Sequence, residues 1–157
     1  MLTWFVATAV LAIHFVFTDP RFDYRLLVVG AVVPSISDLI GGWAAVLGSV
    51  TVSVATLAVL MLATPGRKPI RSTLLGLPIG MFLHLVFGGA WADTTVFWWP
   101  FTGIDLSDAR SALAARGWWS VPLEVAGVVG CVWIVRRARL TDPTRRSAFM
   151  SSGRLEL

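Results

Sequence analysis

Long apolar runs interrupted by arginine dominate this chain of 157 residues. A helix that crosses the ~30 Å hydrocarbon layer of a bilayer needs about 20 apolar residues, with ~17 as a working minimum. Four runs reach that length: residues 2–18, 43–64, 73–91 and 118–135. A fifth, residues 26–40, is shorter and holds Pro34, Ser35, Ser37 and Asp38, which predicts a kinked crossing or a re-entrant segment. Composition agrees, because 56% of residues are hydrophobic before glycine is counted and only 14% are charged, against about 25% charged in soluble domains. The expectation is an all-α, polytopic membrane helix bundle with most of its surface against lipid. Residues 1–139 form one transmembrane domain and residues 140–157 a loose basic tail.

The net charge of +4 does not indicate a nucleic-acid partner, because the basic residues stand at the ends of apolar runs. Cytoplasmic connections collect Lys and Arg. Five crossings with an external N-terminus place Arg21, Arg25, Arg67, Lys68, Arg71, Arg136, Arg137, Arg139, Arg145, Arg146 and Arg154 inside, leaving Arg110 and Arg116 outside. If the second run dips in and returns, Arg21 and Arg25 move outside and the asymmetry weakens. Five crossings therefore fit better, with the C-terminus in the cytoplasm. The first run lacks the basic start and small-residue cleavage site of a signal peptide and reads as a retained helix. A lone cysteine, Cys131, cannot pair within the chain and reads as a packing residue.

Residues 92–117 form the long external loop, mixing Phe97, Trp98, Trp99, Pro100 and Phe101 with Asp93, Asp105 and Asp108. Indole rings favour the headgroup layer, so the loop is expected to lie along the outer surface. Ser107 is a plausible N-cap for a short helix reaching Arg116, with Gly117 as its C′ glycine.

Ionisable groups inside a bilayer cost roughly 2.5–3.5 kcal/mol on insertion scales, so His14, Asp38, His84 and Glu124 each need a reason. Gly76, Gly80, His84 and Gly88 recur every four residues, a stripe that admits a neighbouring backbone and turns His84 toward another helix. Gly30, Pro34, Asp38 and Gly42 repeat the spacing and turn Asp38 inward. In the five-crossing topology Asp38, His84 and Glu124 share the outer half of the membrane, beside a loop that holds Asp93. Such donors suit a divalent metal, zinc or manganese. His14 falls near the inner end and joins them only in the re-entrant topology. The plainer alternative is that each histidine makes an interhelical hydrogen bond. Ser49, Thr51, Ser53 and Thr56 are expected to bond carbonyls of their own helix.

Two stretches, "VVGAVVPSISDLIGG" at residues 28–42 and "GLPIGMFLHLVFGGAWADTTVFWWPFTG" at residues 76–103, resemble the YdjM-like family of bacterial inner-membrane proteins, described as metal-dependent hydrolases. The resemblance covers roughly residues 10 to 135. It implies hydrolysis, by metal-activated water, of a phosphoester on a lipid or lipid-linked substrate in the bacterial plasma membrane. By position it assigns His14, Asp38 and His84 as metal ligands, and Glu124 or Asp93 would stand in as a further ligand or general base. Two of the family's carboxylates are replaced, since Ser35 and Gly88 stand where acids are expected, and the segment from Arg71 lacks the family's His. The competing expectation is a non-catalytic scaffold, or a partner subunit for another membrane protein, with the same fold. Transport is disfavoured, because an internal repeat and paired broken helices are missing from the sequence.

Overall fold

The computed structural model describes residues 1–16, 22–40, 42–66, 68–92, 94–106 and 117–155; the side chains of residues 37–40, 42, 68–69 and 92 are outside that description. Among the described residues every regular element is helical: α1 (Leu2–Val16), α2 (Tyr24–Ile40), α3 (Val50–Ala63), α4 (Lys68–Leu74), α5 (Gly76–Gly88), α6 (Thr94–Phe97), α7 (Ser120–Arg137) and α8 (Pro143–Ser152). Two stretches are long and apolar enough to cross a bilayer, Ile70–Gly88 and Gly117–Arg137. Leu2–Val16, Tyr24–Ile36 and Val50–Ala63 are shorter apolar helices.

The third apolar run is not one helix. Gly42–Gly48 winds as a tight 3₁₀ segment, and α3 begins only after Ser49. The Ser49 side chain accepts from the Val52 N–H at 3.2 Å, so this hydroxyl caps a helix start instead of bonding a carbonyl in the middle of a span. At 14 residues α3 is about 21 Å long. Its far end is closed by Thr64, whose hydroxyl donates to the Leu60 carbonyl at 2.6 Å, and by Pro65 and Gly66, which cannot continue the helix.

α2 packs most closely on α5, and the stripe of small residues makes this possible. A Cβ on Gly30 would land on the carbonyl oxygen of Leu77, and one on Gly80 would land on that of Leu27. The two backbones meet with no side chain between them, the geometry that drives helix association in lipid. α1 packs on α7 in the same way, because a Cβ on Gly127 would strike the Trp4 backbone. The core between these pairs is Phe5, Ala7, Ala9, Val10, Ile13, Leu27, Ala31 and Ile134.

Large apolar side chains lie on the outside as well as in the core. Val54, Val59 and Leu62 on α3, Phe82 and Val86 on α5, and Val125 and Val129 on α7 are all exposed. Faces of this kind suit lipid rather than water.

Contacts distant in sequence define the two ends of the bundle. At one end the start of α1 meets the end of α5 and the start of α7: the Trp4 indole donates to the Phe87 carbonyl at 3.2 Å, and the Thr3 hydroxyl to the Glu124 carbonyl at 3.2 Å. At the other end the start of α2 meets the start of α5, where Gly76 lies against Asp23 and Leu27, and receives the residues following α8. There the Tyr24 N–H donates to the Gly153 carbonyl at 2.9 Å.

The segment beyond Arg139, expected to be loose, contains α8. Its N-cap is Asp142, which accepts from the Thr144 N–H at 2.9 Å, with Pro143 in the first turn and Gly153 closing the helix at φ +69°. The cap, the proline and the terminal glycine account for a helix where composition alone suggested none.

Candidate functional site

His84 sits in the third turn of α5 and is 4% exposed. Its Nδ1 lies 2.8 Å from the carbonyl oxygen of Ala31 on α2 and 3.5 Å from the Ser35 hydroxyl. A carbonyl only accepts, so Nδ1 carries a proton and donates it to Ala31. The Phe5 ring of α1 covers the imidazole, with ring centroids 3.7 Å apart and tilted by 34°. Three helices thus converge on one side chain. Pro34 contributes as well: it has no N–H to return to Gly30, so the α2 ladder is interrupted beside the carbonyl that His84 engages.

Glu124 stands in the second turn of α7 and faces the start of α1. Its Oε1 accepts from the Thr3 N–H at 3.4 Å, and its Oε2 pairs with the Met1 amine at 3.3 Å. The Cys131 thiol, also on α7, donates to the Thr3 carbonyl at 3.5 Å, the packing role expected of it. Thr3 and Phe5 are two residues apart, so Glu124 and His84 serve the same first turns of α1.

The other assigned residues do not join this cluster among the described side chains. His14 is in the last turn of α1, nine positions or about 14 Å along the helix from the Phe5 that covers His84. It packs edge-to-face on Phe15. The backbone of Asp38 is in the last turn of α2, but its side chain lies outside the described residues, as does all of Asp93. The Ser107–Arg116 helix and its charges are also outside them.

Tested against a divalent cation, the described donors do not fit. No three His, Cys, Asp or Glu side chains among the described residues could hold a metal together, and His84 and Glu124 each turn an atom to the protein backbone.

Two polar arrangements escape a reading of the sequence. Thr51, expected to bond within α3, donates to the Trp99 carbonyl and ties the aromatic loop to the start of that helix. Thr56 and Ser53 do bond back within their own chain segment, to Val52 and Ser49. The second arrangement is at the opposite end, where Asp23 is 4% exposed and accepts from the Arg25 N–H at 3.0 Å and from its guanidinium at 2.7 Å. The same guanidinium donates to the Met150 and Ser151 carbonyls at the end of α8. The side-chain hydrogen bond from Arg25 holds the Asp23 carboxyl below its ordinary range despite burial. The only sequence signal is an Asp two positions before an Arg at a helix start, and by charge alone that Arg marks only the end of an apolar run.

Compared with known proteins, the chain matches no family model, no curated protein and no solved structure.

Proposed function

We propose that this chain is a multi-pass plasma-membrane protein whose buried polar groups hold helices together, and that it serves as a non-enzymatic scaffold or partner subunit. The hydrogen bond from His84 to the Ala31 carbonyl, made where glycines bring α2 and α5 into backbone contact, carries this reading. Such bonds bind helix to helix in lipid. Five alternating crossings are supported by the two ends of the bundle. Residues 1–4, 87 and 124 gather at one end, and residues 23–25, 76 and 150–153 at the other. Counted along the sequence, eleven of thirteen basic residues belong at or beyond the apolar-run ends on the second side, which makes that side cytoplasmic. The shorter helices cross by local thinning of the bilayer around them.

A second reading, the YdjM-like hydrolase, draws on the same hydrogen bond. A histidine that gives Nδ1–H to a backbone carbonyl is oriented as metal-binding histidines are, and this reading requires the Asp38 carboxylate on the Nε2 side.

Metal analysis of the detergent-purified chain separates the two. The scaffold reading expects no stoichiometric zinc or manganese, and an Asp38→Ala, His84→Ala double variant that still folds. Stoichiometric metal that vanishes in the double variant would overturn it. Cysteine labelling between residues 21 and 25 tests the topology, and access from outside the cell refutes five crossings.

A further inference from the structure

α7 ends at a sharp turn. Arg139 adopts φ +51°, and the Leu140 N–H reaches back to the Val135 carbonyl at 3.0 Å. This left-handed conformation is disfavoured for a residue with a Cβ, and it turns the chain away from the α7 axis into α8. α8 is seated on the core through Phe149, with Leu155 just beyond it, and the Arg25 bonds to its last carbonyls hold it there. Between the end of α7 and α8 lies a recess of about 330 Å³. Its lining is mixed: Arg145, Arg154, Thr144 and Ser152 on the polar side, Phe149 and Leu155 on the apolar side.

The surroundings are strongly positive. Six arginines occur between residues 136 and 155, namely Arg136, Arg137, Arg139, Arg145, Arg146 and Arg154, and all six are exposed. Asp142 is the acid of that stretch, and its side chain caps α8. Asp23, just before α2, is paired with Arg25. Glu156 lies outside the described residues.

We infer that this recess binds the phosphate-bearing headgroup of an anionic membrane phospholipid, with Arg145 and Arg154 beside the phosphate and Phe149 and Leu155 beside the first acyl carbons. Four features point to a lipid rather than a free anion: guanidinium charge, hydroxyls, an apolar wall, and a position directly after a span-length helix. The inference rests on the membrane reading above. Charge near a membrane surface is worth about 1 kcal/mol per Lys or Arg, so two arginines correspond to about thirtyfold in affinity.

The test begins with alkaline carbonate extraction of membranes that contain the full chain. Release into the soluble fraction overturns the membrane reading, and with it this inference; retention upholds that reading and leaves the lipid arm to decide alone. The full chain in a neutral detergent is then titrated with dioleoyl phosphatidylglycerol, with dioleoyl phosphatidylcholine and with inorganic phosphate, and binding is read by native mass spectrometry. The expected result is about thirtyfold tighter binding of phosphatidylglycerol than of phosphatidylcholine, with no binding of phosphate. Arg145→Gln with Arg154→Gln should remove the preference, Arg145→Lys with Arg154→Lys should keep most of it, and Arg136→Gln with Arg137→Gln should leave it largely intact. Equal binding of both lipids, full binding of phosphate alone, or an equal loss in the Arg136/Arg137 variant would overturn the site.

Discussion

Gly80 lies with its bare Cα against the carbonyl oxygen of Leu27, so α2 and α5 meet backbone to backbone. Gly80→Ala should therefore force the helices apart. Overpacking costs about 1–3 kcal/mol, and the obstacle here is main chain, which cannot swing aside as a side chain does. A loss of about 3 kcal/mol is expected in reversible unfolding from mixed micelles. Gly66→Ala, in open space at a turn, should cost about 1 kcal/mol, from its positive φ alone.

His84 contributes both a proton and a ring, and two substitutions separate them. His84→Phe keeps a ring against Phe5 and removes the donor to Ala31; the expected loss is about 1 kcal/mol, in the range of hydrogen bonds between membrane helices. His84→Ala removes both and leaves a cavity, so it should cost about 2–4 kcal/mol. Chemical denaturation of both variants in the same detergent checks the order, and equal losses would mean that the ring does not stabilise the bundle.

Glu124 joins α7 to the first turn of α1. Glu124→Gln retains an oxygen for the Thr3 N–H and loses the charge that faces the Met1 amine, so a fall of about 0.5–1 kcal/mol is expected. Glu124→Ala strips both contacts and should cost at least twice as much. Disulfide trapping between cysteines placed at Thr3 and Val125 would report whether α1 has loosened from α7.

Part of this arrangement is legible in the sequence and part is not. The spacing of Gly76, Gly80 and His84 reveals a helix face, because a four-residue repeat in an apolar run has few other uses, and that face does receive α2. The break at Gly48 and Ser49 is hidden, since uninterrupted hydropathy masks a cap. Ser49 and Thr51 act on a helix start and on a distant loop, partners that local rules for hydroxyls do not anticipate. Asp23 and Arg25 are hidden for a different reason: a charge at the end of an apolar run marks a boundary whether or not it also bonds to a helix more than a hundred residues away. The three proposed metal ligands share a spacing logic, yet nine positions of α1 separate His14 from the turn that meets His84.

The Asp23–Arg25 pair should make the seating of α8 sensitive to acid. Because Arg25 holds the Asp23 carboxyl below its ordinary value of 3.8, the pairing contributes stability that is fully present above that value. It is lost as pH falls through the lower value of the folded state. The Tyr24 amide resonance, which reports the bond to Gly153, should therefore hold steady from neutral pH to about 4 and shift only in stronger acid. Asp23→Asn should abolish that response, and a shift centred near pH 6 would point to a different group.

The contacts that seal the bundle span 121 positions between Thr3 and Glu124 and 125 between Arg25 and Met150. When the ribosome has delivered only the first five helices, α1 still bares the very strip that Gly127 later covers. The base of α2 likewise waits for its partner. Biogenesis of this protein thus includes an interval in which two half-made seams stand open, and a chaperone or neighbouring subunit that met the chain then would find surfaces the finished molecule no longer displays.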